Sequence, residues 1–411
     1  MTKQYRTLAP AKQNHNLFSL FLLTTPARAS ICESQYFFTN PKTKKMESSM
    51  NKMVKVSLAG MAAAAMIAPA SIAFAEKTGP EFYGQVNFEL TNTDEGGDTN
   101  AEWGTNSNYS RLGVKGTNTL DNGLQAFYQI ESSVDYNVGV LSGRDTFVGL
   151  RGDFGQVSFG RQAAAYRQMV YTGAFSSGTN DTLGVVRAID KDTGNDLAPG
   201  FSTSGVVAPV SRENGVIRYN NSFDGINFAF SLTPVNVPDS DGVAEGDMNF
   251  AFGGSMKPMD ELTIALAYEN RAGGSGTHVL GTTDNDDQTS IGFKAVYNMA
   301  PFTVGLGYEQ VSNIGNAKDT DLTKIVIPFK MDLGDGMSFN IAISQSEFDL
   351  PSGAPSVDSH MNYTVGFEKA LGGNTLLQAS YAVSDGTGEL SAGSTSRDDI
   401  SVLAFGVKHS F

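Results

Sequence analysis

Residues 400–411 read ISVLAFGVKHSF. Leu403, Phe405, Val407, His409 and Phe411 share one parity; Val402, Ala404, Gly406, Lys408 and Ser410 take the other. Side chains alternate across a β-strand, so this segment is a strand with one bulky face and one small or polar face. The last residues of a soluble chain are usually polar and frayed. A strand running to a final phenylalanine instead fits a sheet that closes on itself, its last strand paired with its first. Phe411 is then expected at a membrane boundary.

The same alternation recurs from Glu81 onward. In EFYGQVNFEL (81–90), Phe82, Val86, Phe88 and Leu90 oppose Tyr83, Gln85, Asn87 and Glu89. LQAFYQIE (124–131) sets Leu124, Tyr128 and Ile130 against Gln125, Gln129 and Glu131, and INFAFSLT (226–233) follows the same rule. Between such runs lie short turn signals: LDNG (120–123), DFG (153–155), FDG (223–225), KPMD (257–260), NMAP (298–301), LGDG (333–336) and LGGN (371–374). They alternate with longer polar connections, by far the longest running over about 162–211. The reading is sixteen strands joined by seven turns and eight loops.

A soluble sandwich with strands this long would show Greek-key irregularity rather than short–long alternation. Even strand number, runs of about ten residues, and short turns opposite longer loops fit a barrel that is apolar outside and wet inside. Closure pairs every backbone group within lipid, and sixteen strands leave an aqueous channel rather than a filled core. The expected fold is therefore an all-β, sixteen-stranded antiparallel transmembrane barrel occupying 76–411.

The front of the chain reads differently. Residues 50–75, MNKMVKVSLAGMAAAAMIAPASIAFA, have a basic start at Lys52 and Lys55, an apolar centre, Pro69, and an Ala73-Phe74-Ala75 cleavage pattern. This is a secretory signal peptide, expected to be cut before Glu76. Residues 1–49 precede it and read as an upstream extension from a start assigned too early. Removing 1–75 takes away nine Lys/Arg and two acids, leaving 20 basic against 41 acidic residues, a net charge of −21. Such a surface disfavours nucleic acid as a partner. The single cysteine, Cys32, leaves with the front segment, so no disulfide or thiolate site is expected.

No enzyme, metal or cofactor signature stands out. DKDTGND (190–196) begins like a calcium loop, but Gly194 and Phe201 fall where the fifth- and twelfth-position ligands belong. The four histidines are scattered, and neither a nucleophile elbow nor a phosphate loop is present. The expectation is a non-enzyme without cofactor or metal.

Three stretches, YSRLGVKG (109–116), GRDTFVGLRGDFGQVSFGRQ (143–162) and NGVIRYNN (214–221), together with the VKHSF ending, resemble the general trimeric porins of Gram-negative outer membranes. The resemblance spans essentially all of 76–411. It implies a homotrimer in the outer membrane, in contact with lipid and lipopolysaccharide, whose terminal Phe411 is read by the barrel-assembly machinery. It also implies that the long third loop folds into the lumen and sets acidic groups against an arginine wall, making an eyelet for passive diffusion of small hydrophilic solutes and ions. By motif position Arg111, Arg144 and Arg212 take the arginine sites. Arg218 shares a face with Arg212, and on the fourth strand the parity is mixed, because Val148 and Leu150 share the side of Arg144. The acidic stretch of the enteric members is absent from the long loop, so Asp181, Asp190, Asp192 and Asp196 stand as candidates. Gln85 replaces a basic residue common among relatives.

The alternatives are a substrate-selective channel, for example for oligosaccharides, and a non-channel adhesin or enzyme of the outer membrane. A transverse field across an eyelet filters by size and dipole. The acid excess of the loops is expected to give a weak cation preference that fades as salt rises.

Overall fold

Strand follows strand at the turn signals. The computed structural model describes residues 78–94, 100–107, 109–136, 139–171, 212–238, 244–273, 286–316, 318–349, 360–384 and 400–411. The signal segment 50–75, the extension 1–49, and Asp181, Asp190, Asp192 and Asp196 lie outside them. In chain order the elements are β1 (Thr78–Asp94), β2 (Glu102–Ser107), β3 (Arg111–Thr119), β4 (Gln125–Asp135), β5 (Val140–Gly152) and β6 (Gly155–Gln162). Helix α1 (Ala165–Val170) precedes β7 (Glu213–Phe223), β8 (Ile226–Pro238), β9 (Ala244–Met259), β10 (Leu262–Arg271), β11 (Gln288–Met299) and β12 (Phe302–Ser312). β13 (Asp321–Gly334), β14 (Met337–Asp349), β15 (His360–Gly372), β16 (Thr375–Ser384) and β17 (Ile400–Ser410) complete the sheet.

The seventeen segments make sixteen staves, because β2 and β3 are halves of one strand. Both pair with β1, β2 along Phe88–Thr93 and β3 along Thr78–Gln85. Between them Tyr109 adopts φ 54°, and the hydroxyl of Ser110 fills the gap in the ladder. It accepts from the Asn87 N–H at 2.9 Å and lies 3.3 Å from the Asn87 carbonyl, to which it donates. All pairings are antiparallel. β1 closes on β17 from Gln85 opposite Ser410 to Asp94 opposite Ser401, so the sheet has no free edge.

All seven turns fall where the sequence placed them. Three have both central residues at positive φ, namely Asp224 and Gly225, Asp335 and Gly336, and Gly373 and Asn374. These are the type I′ turns whose twist matches a two-residue hairpin. At the other rim the alternation is less strict than expected: β4 and β5 are joined by residues 136–139 alone, a connection shorter than the turn of residues 120–124.

Burial is inverted relative to a soluble fold. Phe82, Ile130, Leu266 and Phe405 are exposed, while Gln85, Asn87, Gln125, Ser158, Glu269 and Asn340 are buried. Exposed apolar surface on this scale is unfavourable in water and matches a lipid-facing barrel exterior. Among the described residues no helix is long and apolar enough to cross a membrane; the strands make the crossing. At the seam, Gly84 N–H donates to the Phe411 carbonyl at 2.9 Å and Phe411 N–H to the Gly84 carbonyl at 3.1 Å. A Cβ on Gly84 would sit 2.7 Å from Cε2 of the Phe411 ring, so only glycine lets that ring lie over β1.

Candidate channel lining

The mixed parity of Arg144 is explained by a bulge. Ile130 pairs with Thr146 and Ser132 with Gly143, so Glu131 on β4 faces both Arg144 and Asp145 on β5. Two residues opposite one re-aim the bulged side chains. Val148 and Leu150 remain exposed on the outer face, while Arg144 reaches the inner one.

There the expected arginines meet two acids that were not singled out. Arg144 Nε donates to Glu131 Oε1 at 2.5 Å, and Arg111 Nε lies 3.7 Å from Glu131 Oε2. Tyr83 Oη donates to Glu131 Oε2 at 3.0 Å. Arg212, just before β7, donates through Nε to Asp145 Oδ2 at 2.7 Å. Three guanidinium groups against two carboxylates leave this patch one positive charge in excess. Arg161 on β6, also not singled out from sequence, extends it by donating to the Gly143 carbonyl at 3.1 Å and to Asn214 Oδ1 at 2.8 Å. Glu131 was legible as an inward residue by parity; Asp145 was hidden by the bulge.

Arg218 stands apart. It points inward but is buried, donating through Nη1 to the Ala163 carbonyl at 2.8 Å and through Nε to Asn220 Oδ1 at 3.0 Å. Its guanidinium holds the start of the long third connection instead of joining the other three. Gln85, paired in register with Arg111, is also buried.

Another part of the wall, β8 to β11, is covered by α1. Tyr166, Met169 and Val170 pack on Ala229, Ala251 and Ala267 of β8, β9 and β10. Small residues are required there: a Cβ on Gly253 would lie 2.9 Å from Met169 Cγ, and one on Gly292 would lie 2.8 Å from Val170 Cγ2. Ala165 N–H donates to Ser231 Oγ at 2.9 Å. Glu309, buried on β12, accepts from Tyr166 Oη at 2.8 Å and from Tyr171 Oη at 2.5 Å. Six residues without a side-chain cap form a helix too short to read from sequence, and it owes its stability to this packing. Tyr166 and Tyr171 tie the first part of the third connection to the wall; the remainder lies outside the described residues. Among the described residues, no group of three or more His, Cys, Asp or Glu could hold a metal ion.

The sequence and the barrel are similar to those of known proteins. The chain is 27% identical to chitoporin of Vibrio furnissii over 252 residues, 59% of this chain and 59% of that protein, so the match spans less than two thirds of the relative. It is 24% identical to outer membrane porin protein 32 of Delftia acidovorans over 310 residues, 73% of this chain and 72% of that one. The solved structure of an anion-selective porin from Comamonas acidovorans superposes with a TM-score of 0.62 at 18% identity, covering 82% of this chain and 100% of that one. The model of the Gram-negative porin family matches residues 62–389. The barrel with its inverted faces and this extent of match lead to one assignment: the chain belongs to the Gram-negative porin family.

Proposed function

We propose that the barrel is a passive diffusion channel of the outer membrane, admitting small hydrophilic solutes and ions and catalysing no reaction. The observation that carries this reading is the charged inner patch of Arg111, Arg144 and Arg212 around Glu131 and Asp145. Side chains of this kind are tolerated inside a barrel only where water reaches them. In this reading the three arginines form the basic wall of a constriction, opposed by carboxylates of the third loop, with Asp181, Asp190, Asp192 and Asp196 as candidates. Arg218 supports the base of that loop. Residues 50–75 direct export, Phe411 serves assembly-machinery recognition, and the working unit is a homotrimer within lipid and lipopolysaccharide.

The test is single-channel recording of the purified protein in planar bilayers, paired with swelling of liposomes in sugars of increasing size. Stepwise ohmic openings and a size cut-off are expected. Sealed bilayers at all protein concentrations would refute the channel. A second reading, selective uptake of oligosaccharides, draws on the likeness to chitoporin and on inward rings at Tyr83, Phe127 and Phe147. It requires current block by chitin oligosaccharides well below the concentrations at which unrelated sugars act.

A further inference from the structure

We propose that the inner wall formed by β1, β3, β4 and β5, on the turn side of the arginine patch, is a subsite for small carboxylates that carry a flat aromatic ring. The proposal rests on the channel reading and specifies one class of solute that the channel retains. A wet lumen should be lined by polar side chains. Inward positions on β7 through β13 hold no aromatic ring, yet this sector holds three: Tyr83, Phe127 and Phe147.

Two of these rings are laid flat by glycines on the neighbouring strand. A Cβ on Gly113 would come within 2.5 Å of Tyr83 Oη, and one on Gly149 within 2.7 Å of Phe127 Cε1. With no side chain beneath, each ring lies along the wall and turns a face toward the lumen. Phe147 meets Phe127 edge to face, with centroids 6.2 Å apart and planes at 69°. Tyr83 and Phe147 remain partly exposed, whereas Phe127 is nearly buried.

Cations already sit on these faces. Lys115 Nζ lies 5.1 Å from the Tyr83 centroid and the Arg151 guanidinium carbon 5.7 Å from that of Phe127. These contacts satisfy the rings in the empty channel, as cation–π pairs do elsewhere. Lys115 is nonetheless half exposed and shares only a 3.3 Å contact with the exposed Glu81, so it is free to swing to an incoming carboxylate. A ring-bearing anion then makes both contacts at once: its ring stacks on Phe147 or Tyr83, and its carboxylate meets Lys115 or Arg151. A neutral sugar or alcohol gains only the first, and acetate or chloride only the second. Charge complementarity with the nearby arginine patch brings such anions in, and ring stacking lengthens their stay.

The experiment uses the full-length purified protein in planar bilayers, with benzoate added on the turn side and the potassium chloride current recorded. Acetate and benzyl alcohol serve as the charge-only and ring-only probes. Half-block by benzoate is expected at a concentration about three- to tenfold below either, the range that one aromatic contact supplies. Phe147→Leu, which keeps apolar bulk but loses the ring face, and Lys115→Gln should each raise the benzoate requirement about three- to tenfold. Phe367→Leu, on the lipid face, should leave it unchanged. Equal block by benzoate and acetate, or undiminished benzoate block in a conducting Phe147→Leu channel, would overturn the subsite while leaving the channel intact. A wild-type protein that never conducts would instead remove the channel reading on which the subsite rests.

Discussion

Along β3, β5 and the start of β7 the inner wall carries long charged side chains paired with one another in reach of water. From β8 to β11 it carries alanine, glycine and serine where a helix is seated on top, with Glu269 and Lys294 buried farther along the same strands. Both stretches belong to one sheet with one alternation, and inward positions on each escape lipid. What separates them, among the described residues, is whether a second layer of protein lies above. Under α1 a side chain must be small or a hydrogen-bond acceptor in place, as Glu309 is for two tyrosines. On the other stretch long side chains are accommodated, and their charge is balanced by opposite charge, Arg144 and Arg111 on Glu131 and Arg212 on Asp145.

Changes on the covered wall should therefore act through stability. Glu309→Ala leaves the hydroxyls of Tyr166 and Tyr171 without their acceptor, at a cost of roughly 1–3 kcal/mol for each that stays buried. Urea midpoints of the folded barrel should fall accordingly, with Glu309→Gln intermediate. If alanine and glutamine behave alike, the two-tyrosine contact does not hold the helix. Gly292→Leu drives a side chain into Tyr166 and Val170, an overpacking that costs about 1–3 kcal/mol. Single-channel conductance should change with it as the helix is pushed off the wall. An unaltered conductance would show that α1 has no influence on the open path.

Changes on the arginine-bearing wall should instead act chiefly through ions. Glu131→Gln removes one of two acids facing three arginines. A unit charge about 6 Å from a passing ion in water is worth about 0.7 kcal/mol. Its loss disfavours potassium and favours chloride by that amount each, so the permeability ratio, measured as a reversal potential in a potassium chloride gradient, should move about tenfold toward chloride in dilute salt. A collapse of the folded barrel without such a shift would make Glu131 a structural strut like Glu309 and erase the contrast.

The smallest effect is expected in the unmodified protein. Loop acids should favour potassium slightly in dilute salt, and the preference should fade once the screening length shrinks to about 8 Å near physiological ionic strength. A firm chloride preference in dilute salt would mean that the arginine patch, not the acid-rich loops, governs small-ion flux. That outcome would leave the retention of ring-bearing anions untouched, since dwell time and flux respond to different parts of the wall.

Much of this contrast was legible in the chain. Period-two alternation identified the inward residues on β1, β3 and β4, and the turn residues marked all seven hairpin ends. Arg111 could be oriented because Leu112 and Val114 on the same strand are apolar. Arg144 could not, because a bulge adds a residue and breaks the parity on which the reading depends. The break between β2 and β3 was invisible for a related reason: the Ser110 side chain replaces a backbone partner, and nothing in NYSR announces it. Helix α1 was missed because six residues carry no readable period and its stability comes from a wall more than fifty residues away in sequence. Arg218, read by parity as one more wall arginine, shows the limit of that rule. Parity tells which face a side chain takes, not what will be laid over it.

The seam between Gly84 and Phe411 bears on the order in which the barrel forms. Every other stave pairs with its neighbour along the chain, so those ladders grow by local zipping at modest entropic cost. The seam alone joins residues on the order of 300 positions apart, and its cost rises only with the logarithm of that separation. Cost is therefore less of an obstacle than waiting time. Until the two ends meet, β1 and β17 are both bare edges in a chain that is otherwise ready, each able to recruit a strand from another copy. A nascent barrel is thus most prone to misassembly at the step before completion. The missing side chain at residue 84 leaves that step sterically open, because the last strand docks against β1 with its terminal ring over backbone and no side chain to push aside.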